Sequence, residues 1–233
     1  EDELKAQQFE SEFVHNVYDV IAPHFSHTRY KAWPKVAEFL DSIPPGSFVA
    51  DVGCGNGKYL GKNEKLVMFG SDRSPELLRL CRDRGHDVCV CDTLVLPYKD
   101  NSFDAAISIA VIHHLSSEAR RVSAIREMLR VVRPGGKILV YNWAMEQTGR
   151  RSGFKEQDNL IPWHLQRNFK AEATGHGKLE EEKNAVVYKR FYHMFKEGES
   201  EILLEQAGGN RLLDAYYDHE NWCIVAEKLP EHP

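Results

Sequence analysis

Apolar side chains recur every four residues along Leu4–Ile21, at Phe9, Phe13, Val17 and Ile21, which predicts an amphipathic helix that Pro23 ends. A second helix is expected from about Pro34, a residue suited to a first helical turn, with Val36, Phe39 and Leu40 facing inward. Pro44-Pro45-Gly46 then breaks the chain. Beyond it, short apolar runs alternate with amphipathic stretches. The pattern predicts strands at Phe48–Val52, Leu66–Ser71, Asp87–Cys91, Phe103–Ile109 and Lys137–Trp143, with helices near Pro75–Arg84 and Ser117–Val131. A helix over Gly198–Ala207 and an antiparallel hairpin, Arg211–Tyr217 with Trp222–Lys228, complete the reading. Such β-α-β alternation with right-handed crossovers makes a doubly wound, mostly parallel sheet. Periodicity fades over residues 146–186, where Gly149, Gly153, Gly175, Gly177 and the run Glu180-Glu-Glu-Lys183 predict a solvated insertion, partly flexible after Ala171.

The most informative stretch is Val49-Ala-Asp-Val-Gly-Cys-Gly-Asn-Gly-Lys58, in which a short strand ends on an acid and then turns on Gly53, Gly55 and Gly57. Glycines there allow a ligand to lie against bare backbone at the carboxyl end of a strand. A dinucleotide fingerprint needs glycine where Lys58 stands. A phosphate loop fails too, because Val52 stands five residues before Gly57 and Tyr59 follows Lys58. Two further acids end the next two predicted strands. Asp72 is placed to accept both hydroxyls of a ribose, and Asp92 to accept from an exocyclic amine. Asp51 lies where a cationic part of the ligand would sit. Any one of these acids could simply cap a helix, but three at successive strand ends form a row along one edge of the sheet.

With Asp104–His114 and Arg133-Pro-Gly-Gly-Lys137 added, residues 46–143 resemble the class I S-adenosylmethionine-dependent methyltransferases. The resemblance implies an α/β, Rossmann-like fold: a seven-stranded, mostly parallel sheet with helices on both faces. It also implies bound S-adenosyl-L-methionine, held by Asp51, Gly53, Gly55, Gly57, Asp72, Arg73, Asp92, Thr93 and Ala110.

The acceptor is constrained by what the fourth strand end lacks. Ala110-Val-Ile-His113 replaces the Asn/Asp-Pro-Pro-Tyr tetrad of amine methylases, and no Pro-Cys pair is present for attack on cytosine. Cations and polar rings are present instead: Arg29, Tyr30, His113, His114, Arg120, Arg121 and Trp143. A carboxylate acceptor is ionised at neutral pH, needs no general base, and requires only an Arg or His to orient it. For His113 and His114 the alternative is capping and packing at a turn; for Arg120 and Arg121 it is a solvated helix face.

Several segments resemble the eukaryotic tRNA wobble-uridine carboxymethyl methyltransferases. These are Val20–Pro34, Val52–Leu60, Ile107–His114, Arg120-Arg121, Tyr141-Asn-Trp-Ala-Met-Glu-Gln147 and Arg190-Phe-Tyr-His-Met-Phe-Lys-Glu-Gly198. The resemblance implies a single methyltransferase domain over residues 1–233, with residues 1–45 as a helical lid and 146–186 as a substrate-side insertion. It further implies esterification of 5-carboxymethyluridine in tRNA by a stand-alone form that works with a small zinc-binding activator subunit. In that frame Arg29, Tyr30, His113, His114 and Trp143 form the catalytic set, with Arg29 on either the acceptor's carboxylate or the cofactor's. The predicted strand 88–91 lies at an open sheet edge, unprotected by Lys or Pro, and is the expected site of the activator.

Composition limits the alternatives. The 233 residues are 42% hydrophobic, enough for one substantial core. No run approaches the length of a membrane span, and the start does not read as a signal peptide. The five cysteines lack C-x-x-C spacing, and Cys89 and Cys91 alternate so that both should point into a core. Buried thiols in a reducing compartment are expected, cytoplasmic and also nuclear, with no metal in this chain. A net charge of −5 argues against general nucleic-acid binding. A local basic face could still track an anticodon stem: Arg120, Arg121, Arg126, Arg130, Arg133 and Lys137, then Arg150, Arg151, Lys155, Arg167 and Lys170. The competing readings are a quinone- or sterol-type methyltransferase, with an apolar acceptor cavity and no basic rim, and a non-catalytic scaffold.

Overall fold

In the computed structural model, which describes residues 2–29, 31–148, 153–166 and 177–230, the chain opens with α1 (Asp2–Glu10), a π-helical turn at Ser11–His15, α2 (Asn16–Thr28) and α3 (Pro34–Asp41). There follow β1 (Phe48–Val52), β2 (Val67–Asp72), α4 (Pro75–Arg82), β3 (Val88–Val90), β4 (Phe103–Ile109), α5 (Glu118–Val131) and β5 (Val132–Trp143). Then come β6 (Asp158–Gln166), β7 (Lys178–Glu180), β8 (Ala185–His193), α6 (Glu199–Ala207), β9 (Asn210–Asp218) and β10 (Asn221–Lys228).

The main sheet has the order β3-β2-β1-β4-β5-β10-β9. The pairs from β3 to β5 are parallel, and β10 joins β5 and β9 antiparallel. Both faces are buried, so the strands read as continuous apolar runs rather than alternating ones. Ala50, Ala106, Ile138 and Val140 pack toward α5 and α6, with Met128, Leu203 and Leu204. Val49, Ile107, Leu139 and Tyr141 point the other way, against Val36, Phe39 and Leu40 of α3. This seven-stranded α/β sheet is the architecture the resemblance implied.

Three expectations need correction. Pro23 does not end the first helix, which continues to Thr28. Its ring lies on the exposed side, while its neighbours Ile21 and Ala22 are fully buried; packing outweighs the loss of one amide donor. A four-residue apolar spacing also drifts by about 40° per step on a helix of 3.6 residues per turn. The wider π turn at Ser11–His15 runs against that drift and keeps Val14, Val17 and Ile21 on the buried side.

The stretch of faded periodicity contains order. β6, β8 and β7 form a separate antiparallel sheet, in which Trp163, Leu165, Val186 and Tyr188 pack on Val17 and Ile21 of α2. Pro162 sits in β6, an edge strand, where the missing donor is tolerated. Cys89 and Cys91 are half-buried rather than core residues, because β3 is the edge of the main sheet.

The long amino-terminal helix is anchored by a buried ion pair. Arg120 of α5 donates to Glu10 through Nε at 2.9 Å and through its terminal NH2 at 2.6 Å, and also contacts Glu3. Glu10 is fully buried and further accepts from the Ser116 amide at 2.7 Å. Removing one partner strands the other charge in a dry site, which costs about 3–5 kcal/mol. Arg120→Ala should therefore lower the free energy of unfolding in urea by about that amount. A loss below about 1 kcal/mol, the range of exposed pairs, would contradict it.

Candidate active site

Where β1 ends, the chain turns on Gly53 and Gly55, both at positive φ, at 77° and 56°. The amides of Gly53 and Cys54 donate to the Ser71 carbonyl at 2.7 and 2.8 Å, and that of Gly55 to Asp72 at 2.9 Å. A Cβ on Gly53 would sit 2.3 Å from Val111, so only glycine fits there. The turn opens onto a cavity of about 200 Å³ roofed by α2 and β8.

The strand-end acids meet in this cavity. Asp51, Asp72 and Asp92 line it, together with Gly53, Gly55, Arg73, Thr93 and Ala110. Asp72 accepts from the Gly55 and Ser74 amides, one on each oxygen, leaving a lone pair on each for a ligand. Asp92 accepts from the Leu94 amide at 3.0 Å. Oδ2 of Asp51 is buried and meets no donor, and burial pushes the carboxyl up to about 7 despite nearby Lys58. That orphaned oxygen suits a donor or a cation supplied from outside the chain. Ala110 holds φ of 64°, a strained conformation for a residue with a side chain, at the cavity wall. Gly57 alone among the nominated glycines does not line the cavity. A Cβ there would approach Cys81 Sγ at 2.9 Å, so it serves the close approach of α4.

The acceptor candidates divide. Arg29, His113, His114 and Trp143 line the cavity, whereas Tyr30, Arg150 and Arg151 lie outside the described residues. Nδ1 of His113 accepts from the Trp143 amide at 3.1 Å, which puts its proton on Nε2. Nδ1 of His114 donates to the Phe191 carbonyl at 2.7 Å, and its Nε2 accepts from the Tyr18 hydroxyl at 2.9 Å. Burial holds both imidazoles neutral, His113 well below its ordinary value and His114 down to about 3. In the unliganded protein neither histidine is an orienting cation: Nδ1 of His113 accepts from an amide, and both ring nitrogens of His114 are engaged. They act as neutral hydrogen-bonding groups in an aromatic wall with Trp143 and Tyr192, whose rings stack at 4.4 Å.

Arg120 and Arg121 do not face RNA. Arg120 is held by Glu10, and Arg121, 5% exposed, donates to the Leu115 carbonyl at 2.9 Å. Much of the expected basic face is likewise spent internally. Arg126 donates to the carbonyls of Gln206 and Ala207, Arg130 pairs with Glu127 and Asp100, and Arg133 pairs with Asp104. Cations gather instead at the cavity mouth. A second cleft of about 590 Å³ adjoins the first, sharing Arg29, Trp33, Lys58 and Trp143 with it and adding Lys31.

The cavity also holds residues the sequence did not nominate, notably Tyr18, Lys58, Arg190 and Tyr192. Tyr18 lies on the predicted first helix, one position from the apolar stripe. Arg190 and Tyr192 alternate on one face of β8, a period visible only once that strand is recognised.

Residues 50–140 match the methyltransferase-domain family. The chain is 46% identical over 230 residues to the tRNA (carboxymethyluridine(34)-5-O)-methyltransferase of Schizosaccharomyces pombe, covering 95% of this chain and 98% of that protein. It is 43% identical over 266 residues to tRNA (carboxymethyluridine(34)-5-O)-methyltransferase alkbh8 of Xenopus tropicalis. That match covers 97% of this chain and 42% of the frog protein, so the chain spans less than half the length of that relative. Among solved structures, a similar fold occurs in the complex between the Haloferax volcanii Trm112 methyltransferase activator and the putative methyltransferase. The TM-score is 0.61 at 16% identity, covering 91% of this chain and 98% of that one.

The raised carboxyl of Asp51 gives a test of the cavity's electrostatics. Between its ordinary value of 3.8 and about 7, the folded state holds this proton more tightly than the unfolded chain does. The group therefore takes stability away from the unliganded protein as pH rises through that window. Asp51→Asn abolishes the titration, so its stability relative to the unaltered protein should rise between about pH 4 and about pH 7 in urea unfolding. A difference independent of pH would mean that Asp51 is ionised throughout.

Proposed function

We propose, on the premise that the chain belongs to the tRNA (carboxymethyluridine(34)-5-O)-methyltransferase family, that it esterifies the carboxylate of 5-carboxymethyluridine at the tRNA wobble position, with S-adenosyl-L-methionine as methyl donor. The observation that carries this reading is one cavity with acids on its strand-end wall and guanidinium groups on its roof. A cationic donor suits the first and an anionic acceptor the second. When bound, the cofactor supplies a methyl group on a sulfonium; the acceptor oxygen takes it, the electron pair of the broken bond stays on sulfur, and no proton has to move.

The chain's own residues then have positioning work. Asp72 takes the ribose hydroxyls and Asp92 the adenine amine, while Asp51 faces the cationic end of the cofactor. The neutral histidines and the stacked Trp143 and Tyr192 shape an aromatic slot for a base. Alignment of the two partners in such a slot is worth on the order of 7–11 kcal/mol, so no general base is required. A quinone- or sterol-type acceptor fits less well, because the roof carries charge. No helix of the described residues is long and apolar enough to cross a membrane.

RNA would enter over the second cleft, where Arg29, Lys31 and Lys58 offer charge and Trp33 and Trp143 line the wall. A small activator subunit would add a strand to β3, which pairs only with β2 among the described residues and ends on Val90, 57% exposed. Val95 beside it is 72% exposed. Any zinc would belong to that partner. Cytoplasmic and nuclear residence accords with the five free thiols.

Two measurements test this. Nucleoside analysis of cellular tRNA with and without the protein should show 5-methoxycarbonylmethyluridine replaced by the free acid; an unchanged profile would refute the assigned reaction. In calorimetry, Asp72→Ala should cost about 1.5–3 kcal/mol of S-adenosylmethionine affinity, the usual worth of hydrogen bonds to a charged group.

The partner edge is testable separately. Cys91 donates inward to the Asp72 carbonyl at 3.0 Å, so by alternation the Val90 amide points outward. Val90→Pro should then weaken co-purification of the activator and spare cofactor affinity. Equal loss of both would mean that the substitution damages the sheet.

A further inference from the structure

Of the three buried arginines among the described residues, two meet no carboxylate within 4.0 Å, and they sit in different fields. Arg120 is paired with Glu10, and Arg121 lies in the field of Glu199, Asp158 and Glu118. Arg190, on β8 in the roof of the cavity, is 2% exposed and has no carboxylate within 4.0 Å among the described residues. One terminal nitrogen donates to the hydroxyls of Tyr192 at 2.6 Å and Tyr18 at 3.2 Å, and Nε meets no acceptor among the described residues. The guanidinium carbon lies 4.5 Å from the centroid of Trp163 and 5.0 Å from that of Tyr192. Aromatic faces and phenol oxygens offset part of the desolvation of a cation but leave its charge uncompensated. The neighbouring His113 and His114 are neutral, so Arg190 is the charged group of this wall.

We propose that Arg190 binds the carboxylate of the methyl acceptor, with Tyr18 and Tyr192 setting its orientation, and that Arg29 serves the mouth of the cavity instead. This rests on the reaction proposed above and assigns its acceptor subsite. The Tyr18 hydroxyl spends its proton on His114, which leaves the Tyr192 proton available to turn toward the same anion. A guanidinium fork and a phenol donor together recognise a planar carboxylate and discriminate against a neutral amide of the same shape. Arg29 also approaches Trp163, at 5.7 Å, but it lines the outer cleft as well and is only half-buried. It is therefore placed to meet RNA or the cofactor's own carboxylate. The charge selectivity of the acceptor slot would come from Arg190.

The test compares two anticodon stem–loops, one with 5-carboxymethyluridine and one with the neutral 5-carbamoylmethyluridine at the wobble position. Affinity of the full chain for each is measured, alongside S-adenosylmethionine affinity by calorimetry. The unaltered protein should prefer the acid by about 10-fold or more. Arg190→Gln should abolish that preference and keep cofactor affinity within a few-fold, whereas Arg29→Gln should weaken both stem–loops alike. Loss of cofactor binding in Arg190→Gln, with the preference intact, would overturn the assignment and give this guanidinium to the methionine carboxylate. Should Arg190→Gln not fold, Arg190→Lys reads the same ratio with the charge kept and the fork removed. A reduced preference supports the proposal, and an unchanged one refutes it. If the unaltered protein together with its activator subunit methylates neither stem–loop, the proposed reaction fails; if it methylates the acid and Arg190→Gln still prefers it, only the subsite assignment fails.

Discussion

A helix that closes an otherwise open sheet governs the chemistry of this protein. The carboxyl ends of β1, β2 and β4 would face water if α2 and the π-helical turn before it did not lie over them. Two contacts hold that roof: the Glu10–Arg120 pair at one end, and Val17 and Ile21 packed on Trp163, Leu165, Val186 and Tyr188 at the other. The first is an ion pair buried on both sides, so it fixes register as much as it stabilises. The second joins the amino-terminal helix to the small sheet, so that two segments far apart in sequence act as one cover. Dryness follows from this cover. It raises the Asp51 carboxyl and keeps two adjacent imidazoles uncharged.

Dryness also gives a physical reason for the division of charge within the cavity. Three acids, Asp51, Asp72 and Asp92, lie at the strand ends, and Arg190 and Arg29 lie at the roof and mouth. Transfer of a methyl group from a sulfonium to a carboxylate converts a positive and a negative reactant into two neutral products. A low dielectric opposes separated charges and favours their disappearance, so a covered cavity lowers the barrier where an open cleft would not. In the proposed reaction the opposing walls would sort the two reactants by sign, each held by the group it needs. Such a site has little use for a general base, and the neutral histidines are consistent with shape and hydrogen bonding as their only tasks.

The sheet and the strand-end acids were legible because each rests on local chemistry. Apolar runs of β length, glycines where the backbone must turn tightly, and an acid at each strand terminus are all visible within a few residues. What escaped depends on distant partners. Pro23 reads as a helix end until Ile21 and Ala22 are seen to be buried against another segment. The run Ile161–Leu165 alternates as a strand, yet Pro162 hides it unless the strand is known to be an edge. The arginines are the clearest case. Arg120, Arg121 and Arg190 carry the same formal charge in sequence, and only the fold shows that the first is matched by Glu10 and the third by no acid.

That contrast also bears on the tension between an acidic chain and the proposed nucleic-acid substrate. A net charge of −5 sets the average field, but an RNA loop responds to the charges nearest the site it enters. The arginines of α5 that made the sequence look locally basic are consumed by carbonyls and acids within the fold. Arg29, Lys31 and Lys58 remain around the mouth, beside two tryptophans. A short, aromatic and cationic entrance on an otherwise acidic surface favours a single-stranded loop with a base to insert and disfavours duplex lying along the body. Selectivity would then arise in two stages, with charge and stacking at the mouth admitting a loop and the buried guanidinium beyond it testing the acid on the inserted base.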